Sequence, residues 1–195
     1  MSVIRVNPES VRQYAAAATE RFAHSRTELE GLVREAVEVR YYGPNAVEFK
    51  TRCGQMTAEY STKLLADLTQ IADAVRASTS AIASSLGGVP LVLSVDGSPV
   101  TAPPVPPADG TFDVDVSALE ALKPVVSRRI DAVRQALSEH LTALRSTDWE
   151  GTAKSSAVDA VTTFTNQAQT KATEAETAIN AFIDSQISSV LAADR

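Results

Sequence analysis

Tyr41-Tyr42-Gly43-Pro44-Asn45-Ala46-Val47-Glu48-Phe49 separates two long helical patterns, and a shorter echo, Asp148-Trp149-Glu150-Gly151, separates two more. Each break carries an aromatic, one free choice and a glycine. A helix commonly ends at a residue with positive φ, which strains any side chain with a Cβ but not glycine. Pro44 then suits the first position of the next helix, where its missing N–H is not needed and its φ is already helical. Glu48 falls near the positive end of the new helix dipole, and Ala46, Phe49, Cys53 and Met56 begin an inward stripe at three- and four-residue steps. The stretch therefore reads as a tight connection between antiparallel helices, with Tyr41 plugging the end of the bundle.

Upstream, Asn7-Pro8 has the form of a helix start, Asn7 as cap and Pro8 as first helical residue. The stripe that follows is Val11, Ala15, Ala18, Phe22, Ser25, Leu29, Leu32, Ala36 and Val39, a coiled-coil-like seam with charged residues between its positions. Downstream, the pattern continues through Tyr60, Leu64, Leu68, Ile71, Val75, Ser78 and Ile82 to Ser85 or Leu86, where Gly87-Gly88 stops it. Such a helix is on the order of 60 Å long and needs a comparably long partner.

The second pair of helices opens on Ser117-Ala118-Leu119-Glu120, read as a capping box. Its stripe is Leu119, Leu122, Val126, Ile130, Val133, Leu137, Leu141 and Leu144, and Pro124 predicts a kink or a fresh start. After Trp149 and Gly151 come Ala157, Val161, Phe164, Ala168, Ala172, Ala175, Ile179, Phe182, Ile183, Ile187 and Val190. The alanines in the middle allow a neighbouring helix to approach closely. His140 has no second ligand at metal-binding spacing and reads as a packed or surface histidine.

Between the pairs the helical period disappears. Pro90, Pro99, Pro103, Pro104, Pro106 and Pro107 fall here, six of the nine prolines. Leu91–Val95 and Ser98–Thr101 around Asp96-Gly97 predict a short β-hairpin, followed by an extended Pro-rich run. Asn7 to Tyr41 is 34 positions and Ser117 to Trp149 is 32; Gly43 to Leu86 is 43 and Gly151 to Leu191 is 40. An isolated hairpin leaves an apolar face uncovered, so the economical fold is all-α: two long antiparallel hairpins, residues 1–88 and 117–195, joined by a linker over 89–116 and packed as an elongated four-helix bundle.

Composition narrows function. The net charge of −6 opposes a nucleic-acid binder with a broad basic surface. One cysteine, Cys53, excludes an internal disulfide and sits on an apolar stripe, where a buried thiol is expected. No run approaches the roughly 18 to 20 apolar residues of a membrane span, and the N-terminus lacks the pattern of an export signal.

Trp-x-Gly between the helices of a hairpin of about 100 residues, without a signal peptide, resembles the WXG100 (ESX, ESAT-6-like) proteins of type VII secretion in Actinobacteria and Firmicutes. Residues 41–49 are similar to the frequent actinobacterial form Trp-x-Gly-Pro-Asn-Ala-x-x-Phe: Gly43, Pro44, Asn45, Ala46 and Phe49 match, and Tyr41 stands where tryptophan is usual. Trp149 and Gly151 match the core outright, followed by the small residues Ala153 and Ala157. The resemblance covers both halves and leaves out only the linker. It implies a non-enzymatic tandem protein, a secretion substrate or the partner of one, acting through helix-face contacts with other proteins and using no cofactor.

The family's export signal, Tyr-x-x-x-Asp/Glu, is not met: four residues after Tyr14, Tyr41, Tyr42 and Tyr60 stand Ala18, Asn45, Ala46 and Leu64. The expectation is therefore travel with a signal-bearing partner by a signal-peptide-independent route, or residence in the cytoplasm if the protein is not exported. The alternative is a self-assembling structural protein in which helical rods associate head to tail. No metal-ligand spacing, Gly-rich phosphate loop or nucleophile grouping argues for an enzyme.

Overall fold

Four helices, α1 (Pro8–Glu38), α2 (Pro44–Leu86), α3 (Val116–Ser146) and α4 (Thr152–Ala193), pack against one another as a four-helix bundle in the computed structural model, which describes residues 4–86 and 91–193. The expected all-α class holds. The four helices have 31, 43, 31 and 42 residues. Each helix is preceded by a two-residue strand: β1 (Arg5–Val6), β2 (Tyr41–Tyr42), β3 (Asp113–Val114) and β4 (Trp149–Glu150). The expected end of α2 at Gly87-Gly88 lies outside the described residues.

The strands pair across the hairpins. β1 is antiparallel to β4, with Val6 opposite Trp149, and β2 is antiparallel to β3, with Tyr41 opposite Val114. Each helix-connecting turn is thus held by the segment that leads into the other hairpin. This exchange gives the turn's backbone groups partners that a free loop would have to find in water.

One correction makes the repeat more regular than the sequence suggested. The cap of α3 is Asp115 rather than Ser117: the Asp115 carboxylate accepts a hydrogen bond from the Ala118 N–H at 3.2 Å, and α3 begins at Val116. Asn7 caps α1 in the same way, accepting from the N–H groups of Glu9 at 3.1 Å and Ser10 at 3.4 Å. Aspartate is as good a cap as serine, and the paired strand just before it fixes which residue takes the place. With that change Val6 and Val114, Asn7 and Asp115, Tyr41 and Trp149, and Gly43 and Gly151 are all 108 positions apart.

The chain folds as two compact units that do not follow its order. One takes Met1–Arg26, Leu64–Gly97 and Arg134–Thr170; the other takes Thr27–Lys63, Ser98–Val133 and Lys171–Arg195. The hairpin boundaries 1–88 and 117–195 describe connectivity, whereas each unit uses a portion of all four helices. Shifted by 108 positions, the segments of one unit fall nearly on those of the other, so the same unit is built twice with the hairpins exchanging roles.

All nine seam positions expected for α1 are buried. In the other helices the seam drifts from its expected residues. His140 is buried where Leu141 was expected, Thr165 where Phe164 was, and Thr57 and Ser61 replace Met56 and Tyr60. Two causes act together. A straight α-helix slips by roughly 20° per heptad against a strict seven-residue repeat, so a fixed pattern loses phase over 40 residues. Two of the buried hydroxyls also find backbone acceptors, Thr57 donating to the Cys53 carbonyl at 2.8 Å and Ser61 to the Leu29 carbonyl at 3.4 Å, whereas the Thr165 hydroxyl has no partner among the described residues. With its donor used, a small hydroxyl residue fills a close helix contact that a larger apolar one could not.

Pro124 neither ends α3 nor restarts it, since the helix runs unbroken through it. Its side is solvent-exposed, as is Glu120, whose carbonyl loses its partner, so water can satisfy that group.

The expected β-hairpin at Leu91–Thr101 does not form; these residues are neither strand nor helix. Their backbone groups go to helix side chains instead. In the first unit the Ser94 N–H donates to Thr19 Oγ1 at 3.4 Å, Arg26 donates to the Asp96 carbonyl at 2.8 Å, and Leu93 is buried. In the second, the Val100 N–H donates to Thr62 Oγ1 at 3.1 Å and Val100 is buried. Within the expected second strand Pro99 also lacks the N–H that a ladder would need.

One ion cluster belongs to the second unit. Arg129 on α3 donates to both carboxylate oxygens of Glu35, at 3.2 and 2.8 Å, and to Glu28 at 2.8 Å. Gly31 makes it possible, because a Cβ there would lie 2.8 Å from the guanidinium carbon. A glycine inside a helix costs roughly 0.5 to 1 kcal/mol relative to alanine. Here it clears the channel that brings one cation between two carboxylates.

Candidate functional site

The Tyr41 turn begins where α1 ends. The Tyr41 N–H donates to the Val39 carbonyl at 2.8 Å, β2 pairs with β3, and Gly43 takes φ 125° before Pro44 opens α2. The Gly43 carbonyl accepts from the N–H groups of Ala46 at 3.0 Å and Val47 at 3.3 Å, so the first turn of α2 closes on the glycine itself. Phe112 lies over this glycine, and a Cβ at position 43 would sit 2.9 Å from its ring.

Tyr41 is buried with its ring centroid 5.8 Å from that of Phe49, and Phe49 stacks on Phe182 of α4 at 5.4 Å. The Tyr41 hydroxyl accepts a hydrogen bond from the Gln186 side chain at 2.7 Å. Burial raises its pKa, so it stays a neutral phenol. Ala46 is buried beneath the turn, while Asn45 is exposed. Of the residues singled out by sequence, Tyr41, Gly43, Ala46 and Phe49 are therefore structural, and Asn45 faces outward.

The Trp149 turn repeats the frame. The Trp149 N–H donates to the Thr147 carbonyl at 2.8 Å, Gly151 has φ 124°, and its carbonyl accepts from the Ser155 N–H at 3.2 Å. Trp149 is buried, and its indole N–H has no hydrogen-bond partner among the described residues. Lys154 closes the turn by donating to the carbonyls of Arg145 at 2.9 Å and Thr147 at 2.7 Å, where a cation also meets the negative end of α3. The residue corresponding to Lys154 in the first turn is Ala46, which closes nothing.

Two cavities flank the Tyr41 turn. A cavity of about 140 Å³ lies between residues 41–50 and Val105–Asp109, and one of about 370 Å³ is lined by Tyr41, Asn45, Phe112, Val116, Gln186 and Leu191 among others. Three large apolar side chains around them reach solvent: Tyr42 is 47% exposed, Phe112 72% and Leu191 48%. Such side chains clustered at one place are the usual mark of a surface that another molecule covers. Sequence reading missed Phe112, which lies in the aperiodic linker. It also missed Lys50, although position 50 falls on the inward arc of α2 with Ala46, Phe49 and Cys53.

Other reactive groups are committed to packing. Burial pushes the Cys53 thiol up to about 12, which suppresses the nucleophilic thiolate at neutral pH. His140 is fully buried; its Nε2 lies 3.1 Å from the Tyr14 hydroxyl and its ring packs on Phe22 at 4.8 Å. Desolvation first, and the charge of Arg21 second, lower its pKa to about 4. Among the described residues no group of three or more His, Cys, Asp or Glu could hold a metal ion, and no helix is long and apolar enough to cross a membrane. Comparison with protein-family models, curated proteins and solved structures finds no match for this chain.

Proposed function

We propose that the chain is a non-enzymatic tandem WXG100-like protein, a substrate or substrate partner of a type VII secretion system, working through contacts between helix faces and other proteins. The observation that carries this reading is the double turn. Two long helical hairpins each break at an aromatic-x-glycine, each glycine has φ near 125°, and the two breaks stand in one constant register. Support for a docking role comes from the exposed Tyr42, Phe112 and Leu191 beside the Tyr41 turn.

Because no Tyr-x-x-x-Asp/Glu follows any tyrosine in the sequence, the reading has the protein exported with a signal-bearing helical partner. The test uses the native host with and without its secretion ATPase. Medium fractions are expected to contain the protein only when the ATPase is intact. Equal amounts in both strains remove the secretion role.

A further inference from the structure

Lys50 is a buried residue whose ammonium opens onto a cavity and has no ion pair. Only 8% of the residue is exposed, yet no carboxylate among the described residues comes within 4.0 Å of its ammonium. The ammonium faces the ring of Tyr42, with Nζ 4.8 Å from the ring centroid. An aromatic face attracts the cation but supplies no hydrogen-bond acceptor, so the three N–H donors are left to whatever enters the cavity.

The ammonium lines the cavity of about 140 Å³ between α2 and the linker, with Val47, Pro106 and Pro107 on its walls. That volume is worth roughly five water molecules, below the few hundred Å³ of ordinary small-molecule sites. It fits a carboxylate on a short stem. Asp109, at the rim, is directed elsewhere: its carboxylate accepts from the Thr111 N–H at 2.9 Å within its own turn.

We infer that this cavity binds the carboxylate of an acidic side chain from a protein partner, with Lys50 as its counter-ion and Tyr42 as its floor. A peptide rather than a free acid is indicated by what surrounds the opening. The cavity takes no more than the side chain, and the rest of the ligand must lie across the exposed rings of Tyr42 and Phe112. The chain's own charge of −6 does not prevent this, since exposed charges beyond about 8 Å are largely screened at physiological salt. Burial already lowers the Lys50 pKa, and an arriving carboxylate favours the charged form again.

The inference takes its ligand class from the docking role proposed above, but its test needs only the purified full chain. The ¹⁵N–¹H spectrum is titrated with acetyl-Ala-Leu-Glu-Leu-Ala-amide, with the same peptide carrying Gln for Glu, and with sodium acetate. Saturable shifts are expected at Tyr42, Gly43 and Lys50 with the Glu peptide, with apparent Kd about tenfold or more below those for the Gln peptide and acetate. Lys50→Met is expected to abolish them and Lys50→Arg to retain them, each variant keeping the dispersed spectrum of the folded chain. The site is overturned by equal binding of the Glu and Gln peptides, by unchanged binding in Lys50→Met, or by no saturable shift with any probe. Acetate binding as tightly as the Glu peptide overturns the peptide ligand. The secretion assay can fail while this titration succeeds, and the reverse, so the two readings are separable.

Discussion

The Tyr41 and Trp149 turns share a backbone and differ in what fills it. Both have a glycine at φ near 125° and a strand pair supplied by the other hairpin. The Trp149 turn is closed by a larger aromatic and by Lys154, which holds two carbonyls of the end of α3 and its connection. The Tyr41 turn has Ala46 at that place, a hydrogen-bonded phenol in place of the indole, and cavities on its flanks. The lesson is that one repeated backbone frame can be filled in two ways, with a lysine tying up carbonyls in one copy and an alanine beside cavities in the other.

Cutting back the two aromatics tests this most strongly. Trp149→Ala is expected to cost about 4 kcal/mol in urea unfolding, in the range for large aromatics removed from a core. Tyr41→Ala should cost at least about 1 kcal/mol less, because its neighbours already border open space. Equal losses would mean that the turns are equivalent in packing.

A second contrast lies at positions 32 and 140, where Leu32 in one copy corresponds to His140 in the other. The folded chain holds His140 neutral down to about pH 4, whereas the unfolded chain protonates it near 6.5. Its contribution is therefore fully present above pH 6.5 and is lost as pH falls toward 4, up to about 3 kcal/mol in all. Arg21 opposes the extra charge, and the Tyr14 hydroxyl is the group that faces Nε2. Glu35, held below the ordinary carboxylate range chiefly by its hydrogen bonds to Arg129, adds a loss in the same direction. Its stability is present above pH about 4.5 and fades below it, so thermal melts between pH 6.5 and 5 isolate the histidine. His140→Leu should flatten the profile in that window, at a cost near neutrality of about 1 kcal/mol for the Tyr14 hydroxyl left unpaired.

Arg129 and Arg21 are the third pair, again 108 positions apart. Arg129 is gripped by Glu28 and Glu35, while Arg21 reaches Glu139 at 3.6 Å and leaves its buried Nη1 without a hydrogen bond. Arg129→Met should destabilise by about 2 kcal/mol because two half-buried carboxylates lose their donors. Arg21→Met should cost under about 1 kcal/mol, since it also removes an unsatisfied group. A comparably small effect is expected from Tyr41→Phe, about 1 kcal/mol for the bond from Gln186, checked by the shift in the urea midpoint.

Much of this molecule was legible from its chain. Spacing of apolar residues located all four helices, because a long amphipathic helix declares its buried face by period alone. Glycine after an aromatic located both turns, because only a residue without a Cβ takes that φ cheaply. Other features depended on contacts between residues far apart in sequence. Asp115 rather than Ser117 caps α3 because β3 has already been fixed against Tyr41. Leu91–Thr101 forms no hairpin because Thr19, Thr62 and Arg26 take its polar groups. The lone charge of Lys50 and the opening beside Tyr42 arise where the linker crosses α2, and no periodicity encodes such a crossing. Local pattern determines which residues turn inward, since that depends on 3.6 residues per turn. The tertiary structure decides which of them find partners and which stay unpaired, since that depends on what the rest of the chain brings within reach.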